Sequence, residues 1–229
     1  MAIKQTAVAA ALALLLSTFA VALAPSALAR TISSRALLRQ LAVAAEHPAG
    51  YDRDLFPSWI DADHDGCDTR EEVLIAEAIR VVVDPPCSIV SGRWFSKYDA
   101  VRTSDPSTFD IDHLVPLAET WQSGAWRWNT DTRTRYANDL GYGPDLIAVT
   151  AHSNRSKGER EPQDWLPDRV SFRCTYLAWW VAVKWRWQLT VNAVEKRFLH
   201  DGLSACGWPN VTRLSRPATN TRSTSPGRR

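Results

Sequence analysis

Asp112 and His113 stand side by side, and Asn154 and Lys157 follow later in the chain. Hydrolysis of a phosphodiester in water needs residues of these types. A histidine with a near-neutral pKa can take the proton of the attacking water. A divalent metal on oxygen ligands can stabilise the charge gathering on the phosphate and the leaving oxygen. Magnesium takes only one or two protein oxygens and keeps its waters and the substrate's oxygens. Neighbours on a strand point to opposite faces, so Asp112 can hold the metal while His113 faces the water. Asn154 is placed to supply the second metal oxygen, and Lys157, one helical turn on, to meet a phosphate. Alone, the Asp-His pair carries little weight, because a lone histidine is more often a structural hydrogen-bonding residue. The order Asp-His-x-x-Pro, apolar strand, Asn-x-x-Lys-Gly gives it weight.

A second constellation lies upstream. Asp61-x-Asp63-x-Asp65-Gly66 with Glu72 matches a calcium-binding loop of the EF-hand pattern. Alternate carboxylates converge on one ion, the glycine permits the sharp turn, Cys67 offers its backbone carbonyl, and the glutamate opening the next helix binds through both oxygens. Pro57 disfavours a full entering helix and Asp68 stands where paired EF-hands are usually apolar, so an isolated loop fits better than a pair. The bland alternative is an acidic surface turn.

The elements that must position these residues are readable in outline. Ser33 or Ser34 caps a helix through about Glu46, and Glu71 to Val82 has the apolar spacing of another. Cys87 to Tyr98 is strand material with a turn at Ser91-Gly92. Phe109 to Ile111 and Leu146 to Val149 are short strands, and Ala151 to Lys157 opens a helix stopped near Gly158. Thr130 to Leu140 and Cys174 to Gln188 are helical, and Asn192 with Glu195 makes a capping box for a last helix ending near Cys206.

Taken together, Asp112-His113-Leu114-Val115-Pro116 and Asn154-Arg155-Ser156-Lys157-Gly158 resemble the HNH signature, in the variant whose last His is Asn. Ile111 to Glu119, Tyr136 to Leu140, Leu146 to Gly158 and Trp165-Leu166-Pro167 are similar to secreted actinobacterial HNH-family proteins, which are related to the C-terminal domain of GmrSD restriction endonucleases. The similarity covers about residues 50–206. It implies a ββα-metal nuclease core, with His113 as general base, Asp112 and Asn154 as metal ligands and Lys157 supporting the phosphate. The middle position of the pattern, usually Asn, is Asp145 here. Either Asp145 or Asn138 then fixes the loop that carries the base. Glu119 and His152, near the motif, read as structural or surface residues.

The 229 residues, 45% of them hydrophobic and 23% charged, suit one domain with a small appendage. Eleven Trp are read as core packing. Residues 1–29 form a signal peptide: Lys4, an apolar run, and Ala27-Leu28-Ala29 as the cleavage site. Export makes the four cysteines an oxidised set of two disulfides. Three pairings are possible, and the spacing suggests Cys67–Cys87 and Cys174–Cys206. A four-Cys zinc site lacks any close Cys-x-x-Cys pair. The segment after Cys206 carries five Arg and no acid, leaving residues 30–206 at −4. An acidic body argues against tight, purely electrostatic binding of nucleic acid and fits carboxylates gathered around metal.

The sequence therefore predicts an α+β protein: a ββα-metal (HNH) core embedded in helices and stapled by two disulfides. Its expected divisions are 30–100 (a helical segment with the EF-hand-like loop and a hairpin), 101–206 (the nuclease core with C-terminal helices) and 207–229 (a disordered basic tail). The expected activity is a secreted, monomeric endonuclease hydrolysing DNA, with RNA left open as a second substrate, Mg²⁺ or Mn²⁺ at the catalytic site and Ca²⁺ at residues 61–72. The competing class is a non-catalytic, calcium-dependent extracellular binding module; a weaker third is hydrolysis of another phosphodiester such as a lipid headgroup.

Overall fold

The computed structural model describes residues 30–213 and 215–221; the segment 1–29, expected from sequence to be a signal peptide, lies outside them. In chain order the elements are β1 (Arg30–Ser33), α1 (Ser34–Gln40), α2 (Thr69–Glu77), β2 (Arg80–Asp84), β3 (Ser88–Phe95), β4 (Arg102–Thr103), β5 (Phe109–His113), α3 (Leu117–Gln122), α4 (Thr130–Ala137), β6 (Leu146–Thr150), α5 (Ala151–Lys157), α6 (Val170–Arg186), α7 (Ala193–Ala205) and β7 (Asn210–Arg213). The strands make three small antiparallel sheets, β1-β7, β2-β3-β4 and β5-β6. The α+β class expected from sequence is what the chain adopts.

The larger core gathers on α6, whose Tyr176, Trp180, Val181 and Val183 are fully buried. A helix apolar on most sides must lie inside the protein. Around it pack Leu37 and Leu38 of α1, Leu199 and Leu203 of α7, and Tyr136 of α4. A smaller core joins Val73 and Leu74 of α2, Trp94 of β3, Phe109 and Ile111 of β5, and Leu146 and Ala148 of β6. Six of the eleven Trp are buried and the other five pack half-buried against one core or the other, in keeping with a packing role. Inside the large core, Lys184 is fully buried and donates to Glu119 at 2.6 Å and Glu195 at 2.7 Å. Glu119 is thus a structural residue, and His152 is exposed.

Both disulfides join the predicted partners, Cys67–Cys87 and Cys174–Cys206. The Asn192 capping box at α7 is present in both halves. Four expectations fail for local reasons. The first helix stops at Gln40, because residues 42–44 turn extended to bond Val191. The helix predicted through Val82 ends at Glu77. Val81-Val82-Val83 instead forms β2, where β-branched side chains suit a pleated surface better than a helix. The hairpin turn then falls at Pro85-Pro86-Cys87, and Ser91-Gly92 lies inside the continuous strand β3. The disorder expected from 207 on does not extend to Asn210–Arg213, which pairs with β1 as β7.

Candidate active site

Strand β5 sends Phe109 and Ile111 into the smaller core, so period-two alternation turns Asp110 and Asp112 toward α5. Its partner β6 opposes Asp112 with Ile147 and His113 with Leu146. β6 then runs straight into α5, capped by the Thr150 hydroxyl, which accepts from the Ser153 amide. Gly158, at φ +55, ends α5 in a backbone conformation that side chains disfavour.

His113 closes β5. Its ring lies between Trp59, at 5.6 Å between centroids, and Tyr136, at 6.0 Å. Nε2 is 2.9 Å from the Ala137 carbonyl. A carbonyl only accepts, so Nε2 carries the hydrogen and Nδ1 of the neutral ring is the free base. Burial pushes the pKa down to about 4, aided by the Arg53 and Lys157 charges and opposed by the Ala137 bond. The imidazole is therefore neutral, the form a proton acceptor must have.

Asp112 and Lys157 meet differently from expectation. Lys157 is fully buried, and its ammonium donates to both Asp112 oxygens at 2.8 Å and to the His113 carbonyl at 2.9 Å. The Tyr98 hydroxyl donates to Asp112 Oδ2 at 2.6 Å. Burial pushes the Asp112 carboxyl up and the Lys157 ammonium down, and each partner opposes the other's shift. Side chains on a helix lean toward its N-terminus, which draws Lys157 back over β5 and away from solvent. In this arrangement Lys157 compensates Asp112; it does not line the cleft where a phosphate would sit.

That cleft, about 240 Å³, is lined by Asp112, His113 and Asn154 together with Tyr51, Arg53 and Arg155. Asn154 donates its Nδ2 to Asp110 Oδ2 at 3.2 Å, and Asp110 also faces Arg155 Nε at 3.6 Å. A carboxylate only accepts, so Asp110 fixes the Asn154 amide with its carbonyl oxygen as the end left over. Asp112 retains part of its acceptor capacity, since an ionised carboxylate offers about four lone-pair sites. The two oxygens suit a hard divalent cation that needs few protein ligands. The adjacent Lys157 ammonium would compete electrostatically with a cation at these oxygens.

Sequence reasoning did not single out Asp110, Tyr98, Arg53 or Arg155. Asp110 was findable, being two residues before Asp112 and hence on its face. Tyr98 and Arg53 come from segments with no motif. Of the two candidates for steadying the base, Asn138 is the better connected. Its Oδ1 accepts from the Ile60 amide and the Thr69 hydroxyl, and its Nδ2 donates to the Pro57 and Thr134 carbonyls. It thereby fixes the end of α4, where Ala137 holds His113. Asp145 is buried and pairs with Arg186 at 3.2 Å.

In the upstream loop the Asp61, Asp63 and Asp65 carboxylates converge within 4.8 Å of one another. Gly66, at φ +93, donates its amide to Asp61. Burial and then the neighbouring Asp63, Asp65, Asp61 and Asp68 raise the Glu72 pKa. Asp68 caps α2 in a capping box with Glu71, which explains a polar residue at that position. Cys67 is tied by its disulfide to Cys87 beside the loop.

Comparison with known proteins agrees with the motif reading. Residues 74–201 match the model of the GmrSD restriction endonucleases, C-terminal domain. A protein of Arthroderma benhamiae described as an uncharacterized secreted protein is 43% identical over 175 residues, covering 76% of this chain and 85% of that protein. No solved structure matches. No helix among the described residues is long and apolar enough to cross a membrane. With the match spanning β5, β6 and α5 and more than half of its length, the chain belongs to the HNH-type GmrSD restriction endonuclease C-terminal-domain family.

Proposed function

We propose that the protein is an exported, metal-dependent endonuclease of the ββα-metal type that hydrolyses phosphodiester bonds in DNA, and in RNA as well. One observation carries the reading: His113, fixed as a neutral Nδ1 base by the Ala137 carbonyl, opens on the same cleft as Asp112 and Asn154. Those two residues would hold Mg²⁺ or Mn²⁺, which when bound supplies charge stabilisation at the phosphate and the leaving oxygen. His113 accepts the proton of the attacking water. Its low pKa makes it a weak base on its own, and a phosphate anion seated beside it raises that pKa toward the range where base catalysis is efficient. Arg53 and Arg155 line the cleft as the cations that meet the phosphate oxygens. Lys157 acts through Asp112, holding its carboxylate ionised and oriented.

The loop Asp61–Glu72 is proposed as a structural Ca²⁺ site with Asp61, Asp63, Asp65, the Cys67 carbonyl and Glu72 as ligands; its support is the convergence of three carboxylates in a complete motif. The signal peptide at 1–29 and the secreted relative support export, and a monomer is sufficient for the site.

The test is hydrolysis by the wild-type protein of supercoiled plasmid, structured RNA and bis-p-nitrophenyl phosphate, each with Mg²⁺, Mn²⁺ and Zn²⁺. Nicking of plasmid with Mg²⁺ or Mn²⁺ supports the reading. Protein inert toward all three substrates with every metal contradicts it and favours the binding module. Turnover of the small diester without either polymer points to another phosphodiester.

A further inference from the structure

A second cleft, sharing no residue with the one at His113, opens between α1 and α7 and is lined by Arg35, Leu38, Arg39, Lys196, His200 and Trp208. Four of these six are cationic or can become so. Among the described residues no carboxylate pairs with Arg35, Arg39 or Lys196, and Asp201, exposed and 3.0 Å from His200, is the one acid bonded to any of the group. This lies on a body whose net charge between residues 30 and 206 is −4. Three cations without a carboxylate partner, gathered on one concave surface of this acidic stretch, cost self-repulsion, which an anion relieves.

The cleft is also held in shape. The Arg35 guanidinium lies 5.4 Å over the Trp208 ring, and the His200 ring meets the same indole edge-on at 5.3 Å. Trp208 is put there by a turn in which Gly207 and Trp208 both have positive φ, +70 and +58. That conformation is uncommon for a large side chain and persists only where its surroundings determine it. Its amide returns to the Leu203 carbonyl at 2.9 Å, and the Cys174–Cys206 disulfide anchors the turn two residues earlier. Lys196 is steadied by one bond from its ammonium to the Leu41 carbonyl. Among the described residues no hydrogen bond or ion pair engages the guanidinium donors of Arg35 and Arg39, Arg35 being stacked over Trp208.

We infer that this cleft is an exosite for the phosphodiester backbone of a polynucleotide, gripping phosphates away from the scissile bond. The assignment rests on the nuclease reading for its occupant and on the charge and geometry of α1, α7 and Trp208 for its place. An acidic body repels a polyanion, so productive binding needs a local positive surface. Arginine donors arranged around a stacked indole suit phosphate oxygens, to which guanidinium offers paired hydrogen bonds. Such contacts carry no sequence information and set affinity and register.

The experiment measures binding of a fluorescent oligonucleotide by anisotropy, from low to moderate salt, in a His113→Ala background that prevents turnover. R35E/R39E is compared with R80E/R93E, an equal change of net charge at exposed positions of β2 and β3. The exosite predicts that R35E/R39E weakens binding by about tenfold or more and lowers the slope of log K against log salt by about two, with unfolding temperature unchanged. The control pair should move both far less. Unchanged affinity in R35E/R39E, an equal loss in R80E/R93E, or a His113→Ala protein that binds no oligonucleotide would each overturn the assignment. Loss of binding in R35E/R39E by a protein that cleaves nothing would keep the exosite and sink the nuclease reading; cleavage with an unaffected R35E/R39E would do the reverse.

Discussion

At the residue scale the decisive feature is how Asp112 is satisfied. Two contacts from Lys157 and one from Tyr98 compensate a carboxylate that would otherwise be buried without a partner. Breaking a buried pair from one side leaves an uncompensated charge, which typically costs about 3–5 kcal/mol. Lys157→Met should therefore lower the unfolding temperature markedly. Because Lys157 does not line the cleft, substrate KM at saturating metal should change little beside kcat. A Lys157→Met protein with wild-type stability and a large rise in KM would instead restore Lys157 to the phosphate. Asn154→Ala should weaken Mn²⁺ binding measured calorimetrically, and it leaves the fold alone because Asn154 is half-buried with one partner.

A second residue-scale prediction concerns pH. Burial, then the nearby Glu119 and Glu195, push Glu161 from the usual 4.5 up to about 8. A carboxyl with a raised folded-state pKa binds its proton more tightly when folded. Its stabilising effect is therefore full below pH 4.5 and is lost as pH climbs toward 8. Glu161→Gln, which keeps the shape without the charge, should raise the unfolding temperature at pH 8 and flatten its decline between pH 5 and 8. An unchanged or steeper decline would show that Glu161 is not the group responsible.

At the scale of elements, the site is a strand pair feeding a helix, steadied by the end of α4. Asn138 makes four bonds, three joining α4 to residues 57–69 and one to the Thr134 carbonyl within α4, and its neighbour Ala137 holds His113. Asn138→Ala should reduce kcat well beyond its effect on KM, with a stability loss of about 1–3 kcal/mol from the groups left unpaired. An equal fall of activity and folded fraction would reduce Asn138 to a structural role. The same elements show what was legible in the sequence. β5, β6, α5 and the capping box of α7 were readable because short apolar runs, Thr and Asn caps and Gly158 act locally. β2 was misread as helix because Val81 to Val83 fit either period until β3 supplies a partner. The inward path of Lys157 was not readable at all, since its direction depends on a buried Asp112 that no spacing rule reveals.

At the scale of the whole molecule, two disulfides staple segments outside β5, β6 and α5: one holds the acidic loop against the β2–β3 turn, the other joins Cys174 of α6 to Cys206 at the end of α7. Each should contribute about 2–4 kcal/mol, so reduction should lower the unfolding temperature substantially. Calcium at 100 times its dissociation constant should add about 2.7 kcal/mol if the Asp61–Glu72 loop binds it. Asp63→Asn combined with Asp65→Asn should abolish that increment. A melting temperature indifferent to calcium in the wild-type protein would leave the loop an acidic surface turn.

The central claim is that His113 activates water at the cleft shared with Asp112 and Asn154. Plasmid nicking by wild-type and His113→Ala protein with Mg²⁺ or Mn²⁺, alongside their circular dichroism spectra, tests it most directly. The account predicts matching spectra and a loss of about 10²–10⁴-fold in nicking rate for the variant, the usual contribution of a positioned general base. A His113→Ala protein that folds normally and nicks at the wild-type rate would contradict it.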